Sequence, residues 1–266
     1  MRGIDSVAPV AGEIVFSQLM PRPREVGPER VLEEVDFRAL AADSRPRTLV
    51  NFVASLDGRA TFAGRSGTLG DEGDRAMFHA LREQVDAVLA GIGTMATEGY
   101  GRILGKPERR ERRIAKGLPD EPLACVITRS GQVPMEIPLF ACADARVAVF
   151  APPGEFDLAA CQAQVELREL PIDELNPRHV LNILRHEFGV RSLLCEGGPR
   201  LFAGLLAAGV VDELFLTIAP KLTGGGTAPS MTTGPELPDL VPARIRWVLE
   251  RASSLFIRYE LEGLRE

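Results

Sequence analysis

The chain has 266 residues, of which 45% are hydrophobic and 26% are charged, values that are typical of a soluble globular protein. Its 31 Lys and Arg residues against 37 Asp and Glu residues give a formal net charge of −6, whereas proteins that bind nucleic acid usually carry a basic excess. The longest mostly apolar run, 201–211, is shorter than the roughly 20 residues of a membrane span, and Asp5 and Glu13 interrupt any signal-peptide core. We therefore expect a cytoplasmic protein with neither a nucleic-acid nor a membrane partner.

Prolines and small residues at 1–28 predict an irregular arm, whose apolar residues 14–16 dock on the body of the protein. A short helix is predicted among residues 31–40, and the regular pattern begins at residue 48. We therefore divide the chain into an N-terminal extension, 1–47, and one domain, 48–266.

Short apolar runs then alternate with helical patterns. Strands are predicted at 49–54, 87–90, 123–128, 146–150, 165–170, 192–195 and 213–218. One helix follows Asp71, one follows Asn176 with Pro177 in its first turn, and one covers 199–208. Residues 105–122 are predicted to be a solvated loop or a surface helix.

The tail predicts a terminal antiparallel hairpin formed by 244–251 and 254–261. Strands that alternate with helices favour a mainly parallel sheet with helices on both faces. The predicted fold class is therefore three-layer α/β/α, with a sheet that the hairpin makes mixed.

Several catalytic classes are excluded by the motifs that the sequence lacks. The four cysteines are scattered without a Cys-x-x-Cys pair, so neither a zinc ribbon nor a zinc-dependent deaminase is expected. A Gly-x-Ser-x-Gly elbow and a Walker A pattern are also missing. We predict no metal site.

Two glycine-rich turns follow predicted strands, where ligands of open α/β sheets bind. Gly91-Ile92-Gly93-Thr94, together with Ala96, matches the loose form Gly-x-Gly-x-x-Ala. It fits either a phosphate or ribose contact or a tight strand exit. Glu196-Gly197-Gly198-Pro199, with Arg200 beside it, opens a helix. It fits either an anion cradle or a corner where glycine simply suits the backbone.

Two further strand ends carry polar side chains. Thr128-Arg129-Ser130 would suit the 2′-phosphate of NADP, or it is a solvated loop. Asp57 would face the cleft and hold the N–H groups of a heterocycle, or it belongs to an ordinary Asp-Gly turn.

Taken in order along the chain, these motifs resemble one family. Asn51 to Gly58, Gly91 to Thr94, Cys195 to Pro199, and Ile218 to Lys221 with Gly224-Gly225 resemble the riboflavin-biosynthesis reductases. That family has the fold of dihydrofolate reductase and includes the stand-alone archaeal and fungal enzymes and the C-terminal half of the bacterial deaminase–reductase. The match covers about residues 48–262.

The resemblance implies an NADPH-dependent reductase that acts on a ribosylaminopyrimidine 5′-phosphate. Hydride would reach the sugar C1′ and give a ribitylamino product. The implied cofactor-binding residues are Ala54, Thr68, Gly91, Gly93, Thr94, Glu98, Thr128, Arg129, Ser130, Gly197, Gly198, Pro199, Arg200 and Leu201. The implied substrate-binding residues are Asn51, Asp57, Ser66, Arg82, Tyr100, Arg102 and Glu196.

In this assignment Arg82 neutralises a phosphate, Glu196 accepts sugar hydroxyls, and Asp57 is the catalytic candidate. The chain departs from the bacterial pattern at Asn51, where many bifunctional members have Lys and the archaeal type has Asn. It also departs at 98–102, where the family's Asp-Asp-Pro is replaced and Tyr100 would stack on a pyrimidine or pterin.

Two other functions stay open from the sequence. One is the NADPH-dependent reduction of another heterocycle such as dihydrofolate, and the other is a non-catalytic NADP-binding module. The family resemblance also implies a homodimer.

Overall fold

The computed structural model describes residues 14–154, 156, 158–159 and 161–262, so the part of the predicted arm that precedes residue 14 lies outside the described residues. In the described chain one sheet contains the strands β1 (Phe16–Met20), β2 (Arg24–Val26), β3 (Arg47–Ala54), β4 (Ala87–Gly91), β5 (Leu123–Ile127), β6 (Arg146–Ala151), β7 (Gln164–Glu169), β8 (Ser192–Cys195), β9 (Glu213–Ile218), β10 (Ala243–Arg251) and β11 (Ser254–Leu261). The helices are α1 (Pro28–Glu33), α2 (Glu72–Gln84), α3 (Ile92–Glu98), α4 (Pro107–Ala115), α5 (Pro177–His186) and α6 (Pro199–Ala207).

The sheet is mixed and mainly parallel, as predicted. Its strand order is β2-β1-β10-β11-β9-β3-β8-β4-β5-β6-β7. The run from β9 to β7 is parallel, and the pairs β9–β11, β11–β10, β10–β1 and β1–β2 are antiparallel. The sheet therefore has a parallel body, whose carboxyl ends share one edge, and an antiparallel flank.

Alternate residues of the central strands enter two separate cores, because successive side chains of a strand point to opposite faces. Leu49 and Leu194 pack with Met77 and Leu81 of α2. The neighbouring side chains, including Val50 and Leu193, pack instead with the buried faces of α5 and α6. The predicted three-layer arrangement is confirmed.

The predicted helix starts are also confirmed. The Asp71 carboxylate accepts a hydrogen bond from the N–H of Asp74 at 2.8 Å and caps α2. Asn176 caps α5 in the same way through the N–H of His179, at 3.0 Å. Such caps satisfy N–H groups that the first helical turn leaves without partners.

The prediction of an irregular arm over residues 1–28 is wrong where the structure describes it, because β1 and β2 extend the sheet beyond β10. The predicted docking of the apolar patch is confirmed: Phe16 is fully buried, and its ring lies edge-on to Phe256 at 4.7 Å between centroids. The assignment of 1–47 as a separate extension stays a prediction.

Residues 105–122 include a surface helix, α4, that is anchored by a buried cation. Arg113 is fully buried, and its guanidinium donates to the backbone carbonyls of Glu83, Val85 and Pro119 at 3.2, 2.7 and 2.9 Å. A cation beside the last carbonyls of α2 is favoured by the helix dipole. The arginine-rich composition predicted solvation and gave no sign of this contact.

The terminal hairpin is confirmed and is joined to the parallel body through a buried carboxylate. Glu213, at the start of β9, accepts hydrogen bonds from Arg47 of β3 at 2.9 Å and from Arg258 of β11 at 2.5 Å. All three strands are adjacent in the sheet. Two guanidinium partners compensate a charge that would otherwise be costly to bury.

Among the described residues, the helices are too short or too polar to cross a membrane.

We expect the stability of the protein to fall in mild acid because of His79 on α2. Burial, and then the positive charges of Arg82 and Arg109, lower the pKa of His79 from 6.5 to about 4. Between these two values the unfolded chain binds a proton that the folded chain does not, so the free energy of unfolding decreases as the pH falls through this window. Urea unfolding at a series of pH values should show a shallower decrease for His79→Gln. Parallel profiles for the two proteins would contradict this assignment.

Candidate active site

A cleft of about 1470 Å³ lies at the carboxyl ends of β3, β4, β5 and β8, the edge predicted from the sequence. Most of the predicted site residues line it: Asn51, Ser66, Arg82, Gly91, Gly93, Thr94, Glu98, Tyr100, Thr128, Arg129, Ser130, Glu196, Gly198, Pro199, Arg200 and Leu201. The predicted residues Ala54, Asp57, Thr68, Arg102 and Gly197 lie outside this lining.

Two glycine turns lie side by side at the base of the cleft. The N–H of Gly91 donates to the carbonyl of Gly197 at 3.1 Å. A Cβ at Gly198 would lie 2.8 Å from the Thr94 hydroxyl oxygen, and Gly197 has a φ of +91° with Phe52 at 3.0 Å from the position of a Cβ. The positive φ of Gly197 favours glycine, and a side chain at Gly197 or Gly198 would press against Phe52 or Thr94 respectively.

Each of these turns opens a helix toward the cleft. Gly91 is the N-cap of α3, and Gly198 is the N-cap of α6 with Pro199 in the first turn. Neither N-cap has a side-chain oxygen to satisfy the first N–H groups. Free N–H groups and the positive end of a helix dipole favour an anion. The sequence predicted the helix after Gly198 but not the short helix α3.

The segment after β5 adds hydroxyl and guanidinium groups to the same cleft. The hydroxyl oxygens of Thr128 and Ser130 are 3.1 Å apart. Between them Arg129 is exposed, with one N–H donated to the carbonyl of Leu175 at 3.3 Å. These three residues and Arg200 form a polar rim beside the α6 glycine turn.

A buried ion pair forms the opposite side of the cleft. Arg82 donates to both Glu196 carboxylate oxygens, at 2.6 and 2.7 Å, and to the carbonyl of Ile103 at 2.9 Å. The Tyr100 hydroxyl donates to the same carboxylate at 2.6 Å. Burial and the Glu196 charge raise the pKa of Tyr100 well above its ordinary value. The two side chains that the sequence assigned to separate substrate groups are paired with each other.

A second cluster joins a predicted substrate residue to a predicted cofactor residue. The backbone N–H and the hydroxyl of Ser66 donate to Glu98, at 3.0 and 2.9 Å. Glu98 is the last residue of α3. The contact holds the loop that follows β3 against the end of α3.

Asp57 belongs to a turn, the alternative that the sequence left open. Its carboxylate accepts hydrogen bonds from the Ser55 hydroxyl at 2.6 Å, from the hydroxyl and N–H of Thr223 at 3.0 and 3.1 Å, and from the N–H of Gly224 at 2.9 Å. The Ser55 and Thr223 hydrogen bonds lower the pKa of Asp57 far below its usual range. Because these donors hold the carboxylate ionised, Asp57 fastens the 223–224 loop to the end of β3.

The remaining residues outside the cleft lining have local structural contacts. Ala54 is buried at the end of β3, and the exposed Thr68 donates to the carbonyl of Arg65 at 3.1 Å. Arg102 is paired with Asp144 and lies 3.5 Å from Glu121. In the described ranges no group of three or more His, Cys, Asp or Glu side chains is placed to hold a metal ion.

The chain matches a known protein family over most of its length. Residues 46–254 match the family model described as the RibD C-terminal domain. The chain belongs to this family.

Two curated relatives match this chain over most or all of their own length. The chain is 27% identical over 226 residues to the 2,5-diamino-6-ribosylamino-4(3H)-pyrimidinone 5′-phosphate reductase of Methanothermobacter thermautotrophicus, covering 82% of this chain and 100% of the relative. It is 30% identical over 193 residues to the enzyme of the same name from Archaeoglobus fulgidus, covering 71% and 87%.

The fold agrees with solved structures. A pyrimidine reductase-like protein from Corynebacterium diphtheriae matches with a TM-score of 0.75 and 21% identity, covering 90% of this chain and 100% of that chain. The riboflavin biosynthesis reductase Rib7 from Saccharomyces cerevisiae matches with a TM-score of 0.61 and 20% identity, covering 87% and 98%. The predicted architecture of the dihydrofolate reductase type is confirmed.

One acidic residue of the cleft was missed by the sequence analysis. Asp74, Phe78 and Arg82 are four residues apart on α2, and all three line the cleft. The same helix buries Met77 and Leu81, which drew attention to the core stripe alone. A second stripe on α2, shifted by one residue from the core stripe, combines an acid, an aromatic ring and a base. This pattern is the sequence signal that could have identified Asp74 as a cleft residue.

We expect Arg82 to be a main determinant of stability as well as a cleft residue. Replacing Arg82 by Met leaves the Glu196 carboxylate buried without its cation, which costs about 3–5 kcal/mol of unfolding free energy. Urea denaturation measures this loss. The control is Arg246→Met, since the exposed Arg246 lies 3.6 Å from Glu260 and such surface pairs contribute at most about 1 kcal/mol. Equal effects of the two substitutions would contradict the prediction.

Proposed function

We propose that this chain is an NADPH-dependent reductase of a ribosylaminopyrimidine 5′-phosphate in riboflavin biosynthesis. The family and the names of the archaeal relatives support a pyrimidine reductase. One observation about the cleft carries the proposal furthest. The cleft has a glycine turn at a helix N-terminus on one side, which favours an anion, and polar and aromatic side chains on the other. Two ligands of different chemistry can therefore meet across β3.

The alternation of β3 side chains separates the two sides. Phe52 points toward α6, with its ring 5.2 Å from that of Phe202. Asn51 and Val53 also line the cleft, and as neighbours of Phe52 in a strand they point to the opposite face, where α2 lies. The cleft therefore passes over the strand and is open to both faces.

The α6 side fits a dinucleotide. The α6 N-terminus favours the negative charge of a pyrophosphate, and Thr94 and Gly198 lie next to each other in the cleft lining at this end. Thr128, Arg129 and Ser130 would hold the 2′-phosphate that distinguishes NADPH from NADH. When bound, the reduced nicotinamide supplies a hydride to C1′ of the opened ribose.

The α2 side orients the substrate. Arg82, Glu196 and Tyr100 form a rigid wall, because each is hydrogen-bonded to another member of the cluster. The exposed Arg75 lines the same side and is available for the substrate phosphate. A preorganised wall lowers the entropy cost of aligning the substrate with the cofactor.

NADPH oxidation by the purified protein, followed by loss of the reduced-nicotinamide absorbance, tests the proposal. The substrates are the 2-amino ribosylaminopyrimidine phosphate, its deaminated 2-oxo form and dihydrofolate, each offered separately. Oxidation with a pyrimidine is the expected result. Oxidation with dihydrofolate alone would establish a folate reductase instead, and binding of NADPH with no turnover of any substrate would identify a binding module.

The glycine turn gives a sharper test of the cofactor side. Gly198→Asp should abolish NADPH binding, because a carboxylate is placed against Thr94 and against the anion site. Isothermal titration calorimetry measures the affinity. Gly225→Asp is the matched control, since a Cβ at Gly225 meets nothing within 4 Å, and it should bind as the wild type does. Unchanged affinity in a folded Gly198→Asp protein would remove this turn from the site.

Arg129 should determine the choice between the two nicotinamide cofactors. Arg129→Ala is expected to raise the KM for NADPH about 10-fold, the effect of losing about 1.4 kcal/mol from a charge-assisted contact. The KM for NADH should change by less than about 2-fold, because NADH has no 2′-phosphate. Equal changes for both cofactors would show that Arg129 does not contact this phosphate.

A cytoplasmic homodimer stays a prediction from the sequence. Light scattering of the purified protein measures the oligomeric state.

A further inference from the structure

The segment 223–235, which follows β9 and which we call the strap, forms part of the cleft wall. Pro229, Thr233, Gly234 and Pro235 of the strap line the cleft. The motifs that the sequence analysis singled out contain none of these four residues. The strap is therefore a part of the site to which no role has yet been given.

Hydrogen bonds tie the first half of the strap to the turn that follows β3. The Asp57 carboxylate accepts from the N–H groups of residues 223 and 224, at 3.1 and 2.9 Å. The Arg59 guanidinium donates to the carbonyl of Ala228 at 2.8 Å. The N–H of Ala60 donates to the carbonyl of Pro229 at 2.9 Å. These contacts give the strap a defined position beside the end of β3.

The second half of the strap lies against α6. The N–H of Thr233 donates to the carbonyl of Pro199, in the first turn of this helix, at 3.3 Å. A Cβ at Gly234 would lie 3.9 Å from the Cβ of Ala203, and Met231 packs on the core beneath α5 and α6. Thr233 is partly buried. Across the part of the chain that the structure describes, its hydroxyl has no hydrogen-bond partner.

The order of the strands indicates which half of a dinucleotide would reach the strap. The proposed 2′-phosphate site at 128–130 follows β5, and the two glycine turns follow β4 and β8. Beyond them comes β3, with the strap beside it. At the usual spacing of neighbouring strands, β3 lies roughly 14 Å from β5. A dinucleotide with its 2′-phosphate at 128–130 and its pyrophosphate at the glycine turns therefore extends its nicotinamide half toward β3 and the strap.

The chemistry of Thr233 suits this half of the cofactor. A hydroxyl donates to a phosphate oxygen and also accepts from a ribose hydroxyl, and the nicotinamide half carries both groups. We propose that Thr233 is a further cofactor-binding residue, whose hydroxyl binds the ribose phosphate of the nicotinamide half. This inference rests on the proposed function, because it takes NADPH as the cofactor of the cleft.

Calorimetric titration of the protein with NADPH and with adenosine 2′,5′-bisphosphate tests the inference without turnover. The bisphosphate has the adenosine and the 2′-phosphate of the cofactor but lacks the nicotinamide half. Thr233→Val removes the hydroxyl and keeps the shape of the side chain. It should weaken NADPH binding about 5-fold, the effect of one lost hydrogen bond, and should leave binding of the bisphosphate unchanged.

Two further variants separate the hydroxyl from the packing of the strap. Thr233→Ser keeps the hydroxyl and should bind NADPH as the wild type does. Thr232→Val is the matched control, since Thr232 is the neighbouring residue, is exposed and lies outside the cleft lining. It should also bind NADPH as the wild type does.

The outcomes separate this inference from the proposed function. Unchanged NADPH affinity in Thr233→Val overturns the inference, as does an equal loss for the bisphosphate, in Thr233→Ser or in Thr232→Val. If such a protein still oxidises NADPH with a pyrimidine, the inference alone fails. NADPH affinity that depends on the Thr233 hydroxyl supports the inference even where no pyrimidine is reduced, an outcome that contradicts only the proposed reaction. A wild type that binds no NADPH overturns both.

Discussion

The buried pair of Arg82 and Glu196 is the interaction on which the cleft depends. Arg82 belongs to α2, and Glu196 follows β8 directly before the glycine turn of α6. Their two hydrogen bonds, at 2.6 and 2.7 Å, join the two helical layers across the edge of the sheet. Because neither charge is stable alone in a buried position, the pair fixes the distance between the glycine turn and the α2 wall. The same carboxylate holds Tyr100, so the loop after α3 is fixed with them.

The parallel body of the sheet explains why the cleft is at one edge and faces two layers. Parallel strands bring their carboxyl ends together, and the alternation of side chains sends Asn51 and Phe52 to opposite faces. The α6 side presents a glycine turn together with the hydroxyl and guanidinium groups of residues 128–130, whereas the α2 side presents acids, bases and aromatic rings. A phosphate-rich cofactor and a hydrogen-bonding heterocycle need these two different environments.

Asp57 and Asp74 show how the surroundings of a carboxylate decide its role. Asp57 accepts four hydrogen bonds from its own turn and from the loop at 223–224, so its oxygens are already satisfied. Asp74, in the first turn of α2, is partly buried and lines the cleft. Local sequence drew attention to Asp57 because it follows a buried strand in an Asp-Gly pair, while Asp74 looked like an ordinary acid in the first turn of a helix.

Local patterns by themselves determined the strands of the parallel body, the capped helices, the terminal hairpin and the glycine turns, because these depend on periodicity and backbone conformation. Only the tertiary structure decided which polar groups are paired. Arg82 and Glu196 are more than a hundred residues apart, as are Asp57 and Thr223. It also decided that residues 16–26 join the sheet, since an edge strand is stabilised by its neighbour β10 rather than by its own sequence. Pairing across the fold depends on which elements pack together, and no single segment of the chain contains that information.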